Sequence, residues 1–294
     1  MKLILVTFAM VISLIGSGAI LGSELSAPRA IYDSVNQRYI SYVDLLNALP
    51  VDGNIVLGEY HYDSEIHRAQ GFIIHDMAVH HRLLGGVSVS WEFLDYVNQD
   101  RTESAFSRYL NNRTDSDQFL TELFNSEERG AKHSPYLPML NAVKVVGGEL
   151  HGVNAERPVK RQLRLEGLDS LDPSLVPPNM RLGSEDYLQR FFDAMGGHVN
   201  GDELAGYFAA QSYTDCVMAF QMEEQSRHPI HFLVVGSFHS DYNDGVVAEL
   251  KNLSSLPTAT VKLINSADMG QQEIDQLVIP HEVYGPLADF IVLL

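Results

Sequence analysis

The chain has 294 residues, 45% hydrophobic and 20% charged, a balance that excludes disorder and low complexity and allows a sizeable core. Acidic residues number 38 against 20 basic ones, and the net charge of −18 argues against a nucleic-acid backbone or an anionic membrane surface as partner. The single cysteine, Cys216, excludes an internal disulfide and any cysteine-rich zinc site.

Lys2 precedes an uncharged apolar run, Leu3 to Ile15, and then the small residues Gly16 to Ala19. That order describes a secretory signal peptide over residues 1–23, with cleavage after Ala19 or Ser23. An uncleaved anchor is the alternative, because the uncharged run continues to Ser23. No cysteine lies near the cleavage region, so a lipoprotein made through an N-terminal Cys is excluded.

Residues 24–50 form a lead-in with a short helix near Tyr42 to Leu49. Apolar runs predict buried strands at Asn54–Leu57, Val87–Trp91, Val143–Val146, Phe232–Val235, Thr260–Ile264 and Phe290–Leu294. Helical spacing predicts helices over Ser64–Leu84, Asn98–Leu110, Pro135–Ala142, Pro158–Leu165, Asp202–Gln225 and Asp244–Leu253. Strands alternating with amphipathic helices indicate an α/β fold with a mostly parallel sheet. Gly167–His198 holds Pro173, Pro177 and Pro178 and no strand pattern. With the helix after it, it reads as a helical insert over about residues 165–228, before the late strand, within one domain spanning residues 24–294.

Polar residues gather where the strands end. Asn54–Leu57 runs into Gly58-Glu59-Tyr60-His61, and Val87–Trp91 into Glu92. Val143–Val146 leads to Glu149, His151 and Asn154, and Phe232–Val235 to Gly236-Ser237-Phe238-His239. In an open parallel sheet the ligand crevice lies beyond the carboxyl ends of the strands, so acids and imidazoles converge on one edge. Glu59, His61, Glu92 and His239 can divide acid and base roles, or hold a divalent metal such as Zn, Mn or Fe. Singly, each reads more simply as a loop ion pair or a buried histidine; together they define a candidate site. His281-Glu282-Val283-Tyr284-Gly285 lacks the second histidine of a zinc-protease helix, and no Walker A, GxGxxG or GxSxG motif occurs. Ser237 stands too close to His239 to form a triad and is read as structural. Arg157, Lys160, Arg161 and Arg164 form the dense basic cluster of the chain, either a solvated helix face or an anion contact.

These residues resemble the ChaN-like family of the haem-binding uptake / Tiki superfamily, whose wider relatives include TraB and erythromycin esterase proteins. Gly58-Glu59-Tyr60-His61 with His67 and Gln70 is similar to its G-E-x-H-x5-H-x-x-Q opening. Glu92-Phe93 with Gln99, the Asn154-Ala155-Glu156-Arg157 stretch, Asp215 with Met218-Ala219, Gly236–His239 with Gly245-Val246, and Ala288-Asp289-Phe290 match later segments in order. The chain departs from the family's pattern in lacking the N-terminal Cys of many members and in carrying Glu156 where a small residue or Pro is commoner.

The resemblance implies a three-layer α/β core with a helical insert. It also implies an exported protein, periplasmic or at the cell surface, that binds haem in haem or iron acquisition. Membrane contact is expected only through an uncleaved N-terminus. A tyrosine ligand with histidine support is implied on the insert, with Tyr187, Tyr207, Tyr213 and His198 as local candidates and Arg157 and Arg161 for the propionates. A haem-mediated homodimer is compatible with this, though no residue asks for it. Two other functions compete. In a hydrolase (peptidase or esterase), with or without a metal, Glu59 or Glu92 would be the base and His61 and His239 acid, orienting group or metal ligand. A non-catalytic interaction protein would keep the same residues as scaffold.

Overall fold

The computed structural model describes residues 28–196, 201–225 and 228–294. The predicted signal segment and His198 lie outside the described residues. The chain opens with a short hairpin, β1 (Ala30–Asp33) and β2 (Arg38–Tyr39), then α1 (Tyr42–Ala48), whose start is closed by a Ser41–Asp44 capping box. β3 (Gly53–Glu59), α2 (Ser64–His80) and β4 (Val87–Asp95) follow. Then come α3 (Gln99–Leu110), α4 (Ser116–Phe124), α5 (Glu127–Lys132) and α6 (Leu137–Val146). β5 (Glu149–Asn154) leads through α7 (Arg157–Glu166), α8 (Glu185–Ala194) and α9 (Gly201–Gln225) to β6 (Ile230–Gly236). The chain closes with α10 (Ser237–Ser240), α11 (Val246–Leu253), β7 (Thr258–Ile264), α12 (Gln271–Val278) and β8 (Phe290–Leu293).

The strands form one sheet in the order β2-β1-β8-β7-β3-β6-β4-β5. Pairs from β8 to β5 are parallel, and the hairpin adds an antiparallel edge. Every residue of β3 and β6 is buried, which explains their unbroken apolar runs: both faces of the sheet are covered. Ile55 and Leu57 face a core shared with Ile66, Ile73 and Met77 of α2 and Leu140 and Val143 of α6. Val56, Leu233 and Val235 face the opposite way, onto Met218 and Met222 of α9 and Val246 and Leu250 of α11. Helices thus cover both faces of a mostly parallel sheet, the three-layer α/β architecture expected.

One strand assignment needs correction. Val143–Val146 is the last turn of α6, not a strand. Met139, Leu140, Ala142, Val143 and Val146 are buried at helical spacing, and Gly147, at φ 68, ends the helix in a left-handed cap. The strand is Glu149–Asn154, so His151 and Asn154 lie on it rather than beyond it. Its polar residues and Gly152 hide it from an apolar-run criterion. The assignment of Pro135–Ala142 as a helix is shifted for the same reason: α6 starts at Leu137 and runs on to Val146.

Candidate functional site

β3, β4 and β6 are neighbours and all parallel, so their carboxyl ends lie side by side. That arrangement brings Glu59, His61, Glu92 and His239 together. Glu59 is the last residue of β3 and is buried. Its Oε1 accepts from Tyr136 Oη at 2.5 Å and lies 3.0 Å from His61 Nδ1. Its Oε2 accepts from Gln70 Nε2 at 2.6 Å and lies 3.2 Å from His67 Nδ1. His67 is 3.0 Å from Gln70 Oε1 and its ring stacks on Tyr136 at 3.7 Å. Burial alone would raise the Glu59 pKa; hydrogen bonds from His61, His67 and Tyr136 and the charge of His67 outweigh it and hold the carboxyl below its usual range. Glu59 is an anion with both oxygens occupied.

His61 is spanned by two acids. Its Nε2 stands 3.3 Å from Glu92 Oε1, while Glu92 Oε2 accepts the Gly236 N–H at 2.5 Å. Burial opposes its protonation, but the Glu59 hydrogen bond and the charges of Glu92 and Glu59 raise its pKa overall. Gly236 is needed here for space: a Cβ would fall 2.6 Å from His61 Nε2. Gly58 is needed likewise, because a Cβ would collide with Ser240 Oγ. Ser237 Oγ donates to the Glu59 carbonyl at 2.8 Å and ties the ends of β3 and β6, the structural role expected of it.

His239 sits on α10, directly after β6. Its Nδ1 is 2.6 Å from Asp215 Oδ1, a separation that requires a proton between them. Asp215 lies on α9, and its other oxygen accepts from Tyr187 Oη at 2.8 Å. Gln211, one turn earlier on α9, donates to Tyr187 Oη at 2.9 Å. Burial works against protonating His239; the charge and hydrogen bond of Asp215, with Glu92, outweigh it and the opposing charge of Lys160, so its pKa is raised. Burial raises the Asp215 carboxyl, and His239 partly offsets this. Nε2 of His239 has no protein partner among the described residues, and the residue lines a cleft of about 340 Å³. Glu59, His61, Gly236 and His239 form the floor of this cleft; Phe191 and Ala194 of α8 and Met195, the residue that caps that helix, cover the cleft, with Gln211 and Phe238 at the sides.

Two of the tyrosines picked as cofactor contacts are buried and already hydrogen-bonded. Tyr187 is fully buried, stacks on Phe238 and gives its hydroxyl to Asp215. Tyr213 is fully buried and donates to the Leu175 carbonyl at 2.8 Å. Tyr207 is half-buried under the Arg164 guanidinium, at 4.6 Å from the ring centroid, one turn from Gln211, and no hydrogen bond to its hydroxyl is found among the described residues. Arg157 and Arg161 are exposed. His67 and Gln70 brace Glu59, and Asn154 donates to the Glu92 carbonyl at 2.7 Å. Among the described residues no group of three or more His, Cys, Asp or Glu side chains is arranged to hold a metal ion.

Tyr136, Gln211 and the inward course of Lys160 escape the sequence reading. Tyr136 meets Glu59 across 77 residues, and nothing local marks it. Gln211 had a signal: with Ser212 and Asp215 it places polar side chains on a helix face that packs inward. Lys160 is half-buried and donates to Asn154 Oδ1 at 2.9 Å, unlike the exposed arginines beside it.

A mostly parallel sheet carries a roofed cleft at its carboxyl edge, floored by two carboxylate-bound imidazoles, at the place where open α/β folds bind their ligands. The profile of the family described as haem-binding uptake, Tiki superfamily, ChaN matches residues 45–250, and the chain belongs to that family. A solved structure of ChaN from Campylobacter jejuni, described as binding haem cofacially, has the same fold, with a TM-score of 0.65 at 18% identity over 89% of this chain and 95% of that one. The type III effector HopBA1 is more distant, with a TM-score of 0.44 and 11% identity over 85% of this chain and 90% of that one. No curated protein sequence matches significantly.

Proposed function

We propose that this chain is an exported haem-binding protein serving haem or iron acquisition, and that haem enters the cleft between α8 and the carboxyl edge of the sheet. The observation that carries the reading is the pairing, in one cleft, of an apolar cover with an imidazole whose Nε2 meets no partner among the described residues. Phe191, Ala194 and Met195 offer apolar surface to a flat macrocycle. Asp215 holds Nδ1 of His239 and turns Nε2 toward the opening, the arrangement by which second-shell acids orient metal-binding imidazoles. Tyr207 is the one sequence-picked phenol that stays available. Membership of the family supports the same ligand. For export, the support is the family and the segment Lys2 to Ser23; no described helix is long and apolar enough to cross a membrane.

The hydrolase alternative draws less support. A general base needs a free lone pair; both oxygens of Glu59 are taken up by Tyr136, His61, Gln70 and His67, and those of Glu92 each meet one partner, His61 and the Gly236 N–H.

Haemin titration of the mature protein tests the proposal. It predicts a saturable Soret band at one haem per chain, with quenching of the only tryptophan, Trp91, whose ring lies 5.6 Å from that of Phe93, itself 4.9 Å from the ring of His61. A tyrosinate charge-transfer band that disappears in Tyr207→Phe assigns the iron ligand to Tyr207; an imidazole spectrum lost in His239→Ala assigns it to His239. Absorbance that climbs without saturating rejects the proposal.

A further inference from the structure

Two lysines are drawn in toward the sheet edge of this acidic protein, and among the described residues only one touches a carboxylate. Lys262, on β7, is 1% exposed, and its Nζ lies 2.7 Å from Asp241 Oδ1. Lys160, on α7, is half-buried, and the one acceptor it meets among the described residues is the neutral amide oxygen of Asn154, at 2.9 Å. That bond uses one of three ammonium protons. No carboxylate is in hydrogen-bond contact with it among the described residues, so its remaining protons are open to an added acceptor.

Its position says where that acceptor comes from. Asn154 ends β5 and donates to the carbonyl of Glu92 on β4, so Lys160 is tethered over the same edge that carries His61 and His239. Its charge is felt at His239, and burial lowers its own pKa against the partial support of Asp95 and Glu92, with Arg157 adding to the fall. Arg157 and Arg161 are exposed, where solvent screens a contact to little value.

We infer that Lys160, held by Asn154, is the receptor for a carboxylate of the bound ligand, and so fixes which acidic edge of a haem enters the cleft. This rests on the haem reading above, and it names a specificity residue in place of the arginines.

The test compares haemin with haemin dimethyl ester, which keeps the macrocycle and iron and loses both carboxylates. Wild-type protein is expected to bind haemin about tenfold more tightly than the ester, the size of one charge-assisted hydrogen bond. In Lys160→Met that preference disappears through weaker haemin binding, while ester affinity stays as in wild type. Lys160→Arg restores most of it. The inference is overturned if Lys160→Met keeps the preference or weakens both ligands equally. It is also overturned if the preference vanishes in an Arg157→Gln/Arg161→Gln double variant while Lys160→Met retains it. Wild-type protein that binds both ligands alike overturns this inference and leaves haem binding standing; binding of neither rejects the haem reading itself and this inference with it.

Discussion

His61 and His239 follow adjacent strands, and each lies against a buried acid, yet the two surroundings differ in what they leave unused. Around Glu59, four donors meet two oxygens, and His61 spends both nitrogens on Glu59 and Glu92. Around Asp215 the acid is satisfied by His239 and Tyr187, and His239 keeps Nε2 over for the cleft. The first is a closed network that joins β3 to α2 and Tyr136. The second is an open dyad, anchored on α9 and bordering the cleft. A buried acid can therefore hold a fold together or present a reactive nitrogen, and a count of free lone pairs separates the two roles.

Variants can break or sharpen that contrast. Glu59→Ala leaves the Tyr136 hydroxyl, Gln70, His61 and His67 without their acceptor, and a loss of about 3–5 kcal/mol is expected in urea unfolding. A loss below about 1 kcal/mol would mean that the network is not structural. Tyr136→Phe removes a single donor and should cost about 2 kcal/mol by the same measurement, less than Glu59→Ala because three other donors stay. His239→Ala should cost only about 1 kcal/mol, since Asp215 keeps Tyr187 and its raised pKa lets it take up a proton. A larger cost than that of Tyr136→Phe would erase the distinction between the two regions.

The pH dependence is a smaller effect with a definite sign. The pKa values of His61 and His239 are raised in the folded protein, so their stabilisation is complete below the unfolded histidine value of about 6.5 and is lost as pH climbs through the folded values above it. Glu59 is lowered, so its contribution is present above the unfolded glutamate value of about 4.3 and fades as pH drops through the folded value below it. Thermal unfolding across pH should show both limbs, with the alkaline limb reduced in His239→Ala. An alkaline limb unchanged in that variant would contradict the assignment.

Much of this site is legible in the sequence because a buried parallel strand advertises itself. Glu59 and His239 come shortly after the apolar runs Ile55–Leu57 and Phe232–Val235, Glu92 ends the alternating Val87–Trp91 stretch, and the carboxyl-edge rule does the rest. β5 breaks that logic, since Glu149, His151 and Gly152 interrupt its pattern and the valines of α6 imitate a strand. The tyrosines are ambiguous for a different reason. Tyr187, Tyr207 and Tyr213 all suit an amphipathic helix, and only three-dimensional packing shows that Tyr187 and Tyr213 are fully buried while Tyr207 is not. Helix periodicity does carry a hint for the basic cluster, because Lys160 lies three residues from the buried Leu163. Tyr136 offers no such hint, as its role exists only through space.

The most direct measurement is a set of parallel haemin titrations of wild type, Glu59→Gln and His239→Ala, run at a temperature where circular dichroism finds all three folded. The account predicts saturable binding by wild type and by Glu59→Gln, and at least tenfold weaker binding by His239→Ala. Binding that survives in His239→Ala and is lost in folded Glu59→Gln would reverse the roles of the open dyad and the closed network.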